Sequence, residues 1–424
     1  MEQTQFYHPR LSMISKPSSI GSDRCPPLSM VVQNKKVSID IPDDLNFSIL
    51  SKLSLKSLIQ FGCVRKSWSL LFKNPYFMSL FRNNFLSNNS SYYDGTSILL
   101  HTDNIIHFDE KHVLYSLSGE RYENKTLLNF PNPFEEDDPD FYISGSGSIN
   151  GILCLINKFE PNNRVVLWNP ATTEFKIIPT SPCEFVPYMN VDIDQYGFGY
   201  DSVSDDYKVI QVALCDPKRD CDIDFSSLGE ISFGPLWEVY SLRTNSWSKF
   251  RFDIPTNYEV QGVFLDGMCH WWGENDSFFD EDYALYLLSF DLSNEVFLTT
   301  FIPSEDDSLD IEILRIGLAV LNGYVAFISN YTQSNTFHIS ILGEIGVTES
   351  WVKLFIVCYV PPIKGPIGAG KKGDIFFRKE GCKLIYFNLS TQMIEELDCE
   401  EDKYWITLTY KASLLPIGET NILL

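Results

Sequence analysis

Six times after residue 110, a short apolar run meets a polar turn and a second apolar run follows. The copies are Val113-Leu114-Tyr115-Ser116-Leu117, Val166-Leu167-Trp168-Asn169-Pro170, Val239-Tyr240-Ser241-Leu242, Leu288-Ser289-Phe290-Asp291-Leu292, Ile339-Ser340-Ile341-Leu342 and Ile385-Tyr386-Phe387-Asn388-Leu389. With Tyr115, Trp168, Tyr240, Phe290, Ile341 and Tyr386 as markers, the spacings are 53, 72, 50, 51 and 45. The long interval holds an acidic insertion near 216–235. Each copy reads as a hairpin, because runs this short between turn residues suit strands. Most copies follow another apolar pair around a glycine, as in Gly151-Ile152-Leu153-Cys154-Leu155. Four strands in about 50 residues is the size of a propeller blade. The expectation is an all-β domain of about six blades. A final strand near Trp405–Leu415 would pair with the first blade, because a closed ring leaves no free sheet edge. An irregular β-sandwich is the alternative.

A helical pattern precedes the repeat. Pro42-Asp43-Asp44 suits the first turn of a helix, where a missing N–H costs nothing and carboxylates meet the positive dipole end. Leu45, Ile49, Leu50 and Leu53 then share one face. Ser54 can cap a second helix with Leu55, Leu58 and Ile59, and Gly62 can end it. Val64, Trp68, Leu71 and Phe72 mark a third helix, which Asn74-Pro75 would stop. The expected organisation is a leader over 1–36, three short helices over 37–86, a polar linker over 87–95 and the β domain over 96–424. Three such helices bury little surface and are marginal alone. Part of their apolar face is therefore expected to dock a partner.

Charge is unevenly spread. The formal net charge is −23, yet residues 1–36 and 37–86 each carry +3, which leaves −29 beyond residue 86. Such a domain repels phosphate backbones and favours a basic partner, so nucleic-acid binding is not expected. The longest apolar run, Leu354–Val360, is too short to span a membrane. No secretion signal is apparent, and none of the ten cysteines forms a C-x-x-C pair. Reduced thiols in a cytoplasmic or nuclear protein are the expectation.

Motifs for catalysis and cofactors fail in detail. Gly365–Lys371 fits most of a P-loop, but Lys372 replaces the magnesium-binding hydroxyl and a strand pattern follows. His101, His107 and His112 lack zinc-ligand spacing and a cysteine pair. Asp192–Gly197 opens like a calcium loop, but Val203 sits where the bidentate glutamate belongs. No G-x-S-x-G elbow is present. No cofactor or metal is expected. A propeller glycosidase remains a weak alternative, since repeated carboxylates cannot be paired from sequence.

The helical segment resembles an F-box of the plant style. The residues that carry this are Ile41-Pro42-Asp43-Asp44-Leu45, Ile49-Leu50, Leu53, Lys56-Ser57-Leu58, Phe61, Cys63-Val64 and Lys66-Ser67-Trp68. Ser54 and Gly62 depart from the pattern, where a proline and a basic residue are usual. The resemblance implies docking onto a Skp-type adaptor, and through it a cullin and a RING subunit of a ubiquitin ligase. The positions it assigns to the adaptor are Pro42, Leu45, Ile49, Leu50, Leu53, Leu58, Val64 and Trp68.

The remainder resembles the plant F-box-associated domain, type 1, of S-locus F-box-like and F-box/kelch-like proteins. Gly147-x-x-Asn150-Gly151, Leu167-Trp168-Asn169-Pro170-x-Thr172, Tyr196-Gly-Phe-Gly-Tyr-Asp201, Asp206-Tyr207-Lys208-Val209 and Gly267-Met268-Cys269-His270-Trp271 occur in order, with Glu349-Ser350-Trp351 beyond them. That resemblance implies a non-catalytic receptor whose β domain holds a protein target for ubiquitination. The acidic loops near 216–235, 274–283 and 304–311 are the candidate target contacts. A secreted ribonuclease is one target class the S-locus relatives suggest. The competing reading is a binding scaffold outside any ligase.

Overall fold

The computed structural model describes residues 42–53, 55–64, 68, 70–87, 96–106, 109–119, 121–134, 141–157, 164–182, 189–217, 236–252, 257–258, 262–274, 284–303, 313–331, 336–358, 363–370, 373–379, 383–400 and 403–418. The leader, Ser54, the linker residues 88–95 and nearly all of the three acidic loops lie outside the described residues. Asp44–Leu424 forms one compact unit. Of residues 1–43, only Pro42 and Asp43 are described.

The described strands form six consecutive antiparallel groups. Sheet 1 holds β1 (Thr96–Ile106), β2 (Asp109–Ser118), β3 (Asn124–Leu128) and the last strand, β25 (Lys403–Lys411). Sheet 2 holds β4 (Tyr142–Ile149), β5 (Ile152–Asn157), β6 (Arg164–Asn169) and β7 (Glu174–Ile177). Sheet 3 holds β8 (Met189–Asp201), β9 (Asp206–Pro217), β10 (Leu236–Ser241) and β11 (Ser246–Arg251). Sheet 4 holds β12 (Asn257–Tyr258), β13 (Val263–Leu265), β14 (Met268–Glu274), β15 (Leu285–Asp291) and β16 (Val296–Ile302). Sheet 5 holds β17 (Ile313–Leu321), β18 (Tyr324–Tyr331), β19 (Thr336–Leu342) and β20 (Trp351–Cys358). Sheet 6 holds β21 (Ile363–Ala369), β22 (Ile375–Lys379), β23 (Lys383–Asn388) and β24 (Met393–Glu400). Among the described residues, the parallel bridge Thr409 to Gly147 joins sheets 1 and 2.

Each sheet is covered on both faces. Ile98 and Leu100 of β1 face sheet 6, where they pack with Phe376 and Tyr386. Leu99, one residue on, packs with Leu153 and Trp168 of sheet 2. That is the period-two alternation of a strand. Similar clusters lie between sheets 2 and 3, 3 and 4, 4 and 5, and 5 and 6. Burial on both sides explains continuous apolar runs such as Leu285–Leu288. All six sequence markers fall in the third strand of a sheet: β2, β6, β10, β15, β19 and β23.

The turn after the marker is built alike in several sheets. Asn169, Asp291 and Asn388 each accept backbone N–H groups from the turn that follows. The fourth loop residue then takes a positive φ, at Thr173, Asn245, Glu295 and Gln392. A type I turn followed by a left-handed residue is a common way to close a hairpin of this length.

The look-alike motifs are strands. Asp192–Gly197 lies inside β8, and Gly365–Ala369 inside β21. The polar residues of the ordered motifs tie neighbouring sheets. Lys208 is buried and donates to the Leu292 carbonyl (2.6 Å) and to Glu295 (2.9 Å), with Asp201 at 3.5 Å. Burial alone would raise the Asp201 pKa. Hydrogen bonds from the Ser204 and Ser293 hydroxyls and two turn amides outweigh it and hold the carboxyl at about 2. Burial also pushes the Cys154 and Cys269 thiols up, so both stay protonated.

His270 gives a testable pH dependence. It is buried on β14, its Nδ1 is 2.8 Å from the Ser289 hydroxyl, and burial pushes its pKa down to about 4. The folded state keeps this ring neutral, whereas the unfolded chain protonates it near pH 6.5. Its contribution is therefore complete above pH 6.5 and lost as pH falls toward 4, about 2 kcal/mol of it by pH 5. Thermal melts at pH 7 and pH 5 should show this fall, and His270→Asn should flatten it. An equal fall in the variant would assign it to other groups.

Candidate functional site

The helical module begins with α1 (Asp43–Leu50) and α2 (Leu55–Val64). A short 3-10 turn follows at Leu71–Lys73, and then α3 (Pro75–Ser87). Three sequence expectations change here. Val64, expected on a third helix, ends α2, and Leu71 and Phe72 lie in the 3-10 turn. Gly62 does not end the second helix, which continues to Val64. Asn74-Pro75 ends one element but also starts the next. The Asn74 side chain caps the Phe77 N–H (3.1 Å), and Pro75 takes the first helical position.

Helix α3 supplies the module's floor. Phe77, Phe81 and Phe85 recur at helical spacing, with successive ring centroids 6.4 and 5.9 Å apart. Phe47 of α1 meets Phe77 edge-on at 5.9 Å. Asn84 donates to the Ser51 hydroxyl (2.7 Å) and ties α3 to the end of α1.

The eight positions assigned to the adaptor divide by burial. Leu50 and Leu58 are 5% and 2% exposed and belong to the module's own core. Leu53 and Trp68 are half-buried against that core, and Phe61 meets Trp68 edge-on at 5.6 Å. Pro42, Leu45 and Ile49 are exposed, the last two at 56% and 58%. The Val64 side chain lies outside the described residues. Ile59, Phe61, Leu70 and Tyr76 are also large, apolar and exposed. The helical pattern alone does not sort inward from outward side chains on so small a module, because nearly every turn carries one.

The core of this module is completed from the far end of the chain. Leu415 packs among Leu50, Leu58, Leu71, Phe77 and Phe81, with Leu414 beside it. Two residues on, Ile417 enters the core between sheets 2 and 3. Asn169, fully buried, donates to the carbonyls of Ser413 (3.1 Å) and Leu415 (3.0 Å). This explains the asparagine of the Leu-Trp-Asn-Pro motif. Gly151, at φ +85°, lies so close to Ser413 that a side chain there would collide with it. A second tie joins α3 to sheet 3. Arg82 pairs with Asp205 and donates to the Tyr200 hydroxyl (3.2 Å), which in turn donates to Asp205 (2.5 Å). Burial and then the Asp205 hydrogen bond push the Tyr200 pKa up and keep it a donor. The Lys411 amine sits 4.8 Å from the centre of the Phe85 ring, a cation–π contact.

An apolar helical face is thus fixed to a ring of sheets through the chain's own tail. The F-box associated beta propeller domain family matches residues 104–417, which include this tail. The chain belongs to that family. It is a plant F-box protein with an F-box-associated domain. An F-box protein of Arabidopsis thaliana is 29% identical over 54% of this chain and 53% of its own length. A second is 27% identical over 66% of this chain and 64% of its own. F-box protein CPR1 of the same plant is 26% identical over 60% of this chain and 63% of its own. The chain thus spans between half and two thirds of these relatives. Among solved structures, TolB from Acinetobacter baumannii is similar with a TM-score of 0.47 at 9% identity, covering 78% of this chain and 72% of TolB.

In this F-box-associated protein, the ordered motifs serve the ring and its tail. Asn150 donates to Tyr207 (3.1 Å), Asp206 accepts from Ser241 (2.5 Å) and from the Arg243 N–H (2.8 Å), and Asn169 holds the tail. Motif polar groups used in this way are scaffold. Specificity is expected from residues the motifs do not include.

Proposed function

We propose that this protein is the substrate-recognition subunit of a Skp–cullin–F-box ubiquitin ligase. The helices α1 and α2 form the F-box and dock the Skp-type adaptor, and the six sheets are the blades of a six-bladed propeller that holds a protein target. The subunit is non-catalytic and acts by proximity, raising the concentration of target lysines near a ubiquitin-loaded enzyme. It works in the cytoplasm or nucleus, and its acidic β domain selects a target with a basic patch.

The observation that carries this reading is the exposure of Leu45 and Ile49 on α1 of a module whose core is already complete. Side chains not needed for the fold are available for a partner. The tail and the Arg82 contact add to this, because a receptor must hold its target at a fixed distance from the adaptor.

Purified chain and purified Skp-type adaptor should co-elute. Leu45→Asp/Ile49→Asp should weaken this by about a hundredfold or more, since burying each side chain is worth roughly 1.5–3 kcal/mol. Both positions are exposed, so the helical circular dichroism should not change. A folded wild-type chain that retains no adaptor would end the ligase reading.

A further inference from the structure

The fourth strand of each sheet leaves one backbone edge without a partner strand among the described residues. These strands are β3, β7, β11, β16, β20 and β24. An open edge pairs with other chains unless charge, a bulge or a cover blunts it. Five of the six carry charge, from a single lysine on β3 and on β20 to four carboxylates on β24. The ladders of β20 and β24 also shift register. β16 is the exception. Its sequence, Val-Phe-Leu-Thr-Thr-Phe-Ile, has no charge, and its ladder with β15 runs unbroken from Val296 to Ile302. Val296, Leu298 and Phe301 are 47%, 39% and 56% exposed.

Trp351 fixes the direction of the open groups. Its indole, on sheet 5, donates to the Phe301 carbonyl (3.0 Å), so that carbonyl points away from β15. In an antiparallel ladder the N–H and C=O of one residue share a side, and the side alternates along the strand. Phe297 and Thr299 therefore also present N–H and C=O away from β15. Trp351 covers the Ile302 end of this edge and leaves those two residues open.

We infer that the β16 edge pairs with the same edge of a second copy of this chain. A two-fold axis at Leu298 sets Phe297 of each copy against Thr299 of the other, and the outward N–H and C=O groups of both residues find partners. Leu298 meets its own counterpart. Aromatic and β-branched side chains pair favourably across strands. Charge selects this occupant. At a net charge of −23, two copies repel over most of their surface, yet β16 brings no charge of its own to the contact. The carboxylates at its start are engaged, Asp291 by Asn294 (2.7 Å) and Glu295 by Lys208 (2.9 Å). An uncharged strand also offers nothing that selects a basic target. The inference is independent of the ligase reading.

Sedimentation of the full chain over a range of concentrations tests the pairing. A reversible dimer is expected, tighter at about 0.5 M salt than at about 0.1 M, because salt screens the repulsion and leaves the strand pairing. Thr299→Pro removes an outward N–H and spares the ladder to β15. Leu298→Lys sets two ammonium groups against each other. Each should weaken the dimer at least about tenfold, and Leu354→Lys on β20 should leave it unchanged. Melting temperatures within a few degrees of the intact chain establish that the variants are folded. Leu298→Cys gives a direct readout, since the axis places position 298 opposite its counterpart and mild oxidation should link the two chains there. Leu354→Cys should not link. A chain that stays monomeric at every concentration and both salts, a dimer that both variants retain, or a Leu298→Cys chain that does not cross-link would overturn the inference. So would assemblies larger than a dimer, because a two-fold contact closes at two copies.

Discussion

Chains ending at residue 402 are expected to yield no folded β domain. The missing strand, β25, pairs with β1 along nine positions, from Thr96 with Lys411 to Asn104 with Lys403. It also buries Thr407, Leu408 and Tyr410, and the Thr407 hydroxyl reaches the Ile367 carbonyl of sheet 6 (3.1 Å). Without it, β1 becomes an open sheet edge inside the ring, and the clusters on both sides of sheet 1 lose a wall. The two large side chains alone are worth roughly 3–6 kcal/mol. That is comparable with the whole stability of many domains, about 5–15 kcal/mol. Soluble yield and the strand signal in circular dichroism would report the loss. A truncated chain that still melts cooperatively within a few degrees of the intact one would show that the ring does not depend on its closing strand.

Leu415→Asp should undo the helical module from more than 300 residues away. Leu415 is 3% exposed among five apolar side chains of the helices. A carboxylate there has no partner in the cluster, and an uncompensated buried charge costs about 3–5 kcal/mol. A helical unit of this size has little stability to lose. The expected result is loss of the helical signal and of adaptor co-elution, with the β-domain melt largely kept. Leu45→Asp/Ile49→Asp should lose the adaptor with the helices intact, so the pair separates folding from docking. Helices and adaptor both retained in Leu415→Asp would mean that the tail is not part of the module's core.

Much of the β domain was legible because its strands are buried on both faces. A strand covered on both sides must be apolar throughout, and its hairpin must turn at a polar cap. Those two demands repeat at every third strand and left the pattern around Trp168, Tyr240 and Phe290. The closing strand followed from the cost of a free edge. The helices were less legible. Asn74-Pro75 is a stop signal and a start signal in the same letters, and only the capped Phe77 N–H shows that both are used. A Phe77, Phe81, Phe85 ladder after it was the available sign of α3.

The sequence by itself determined the repeat and the family, because each rests on neighbours within one or two elements, and it placed the closing strand through the cost of a free edge. Tertiary structure alone decided which apolar residues face inward. Leu50 and Leu58 turn into the core while Leu45 and Ile49 stay out, since α3 and Leu415 cover one side of α1 and α2. It also decided that Asn169 clamps the tail. These contacts join residues tens to hundreds of positions apart, and local periodicity carries no information about a partner that only the closed ring brings within reach.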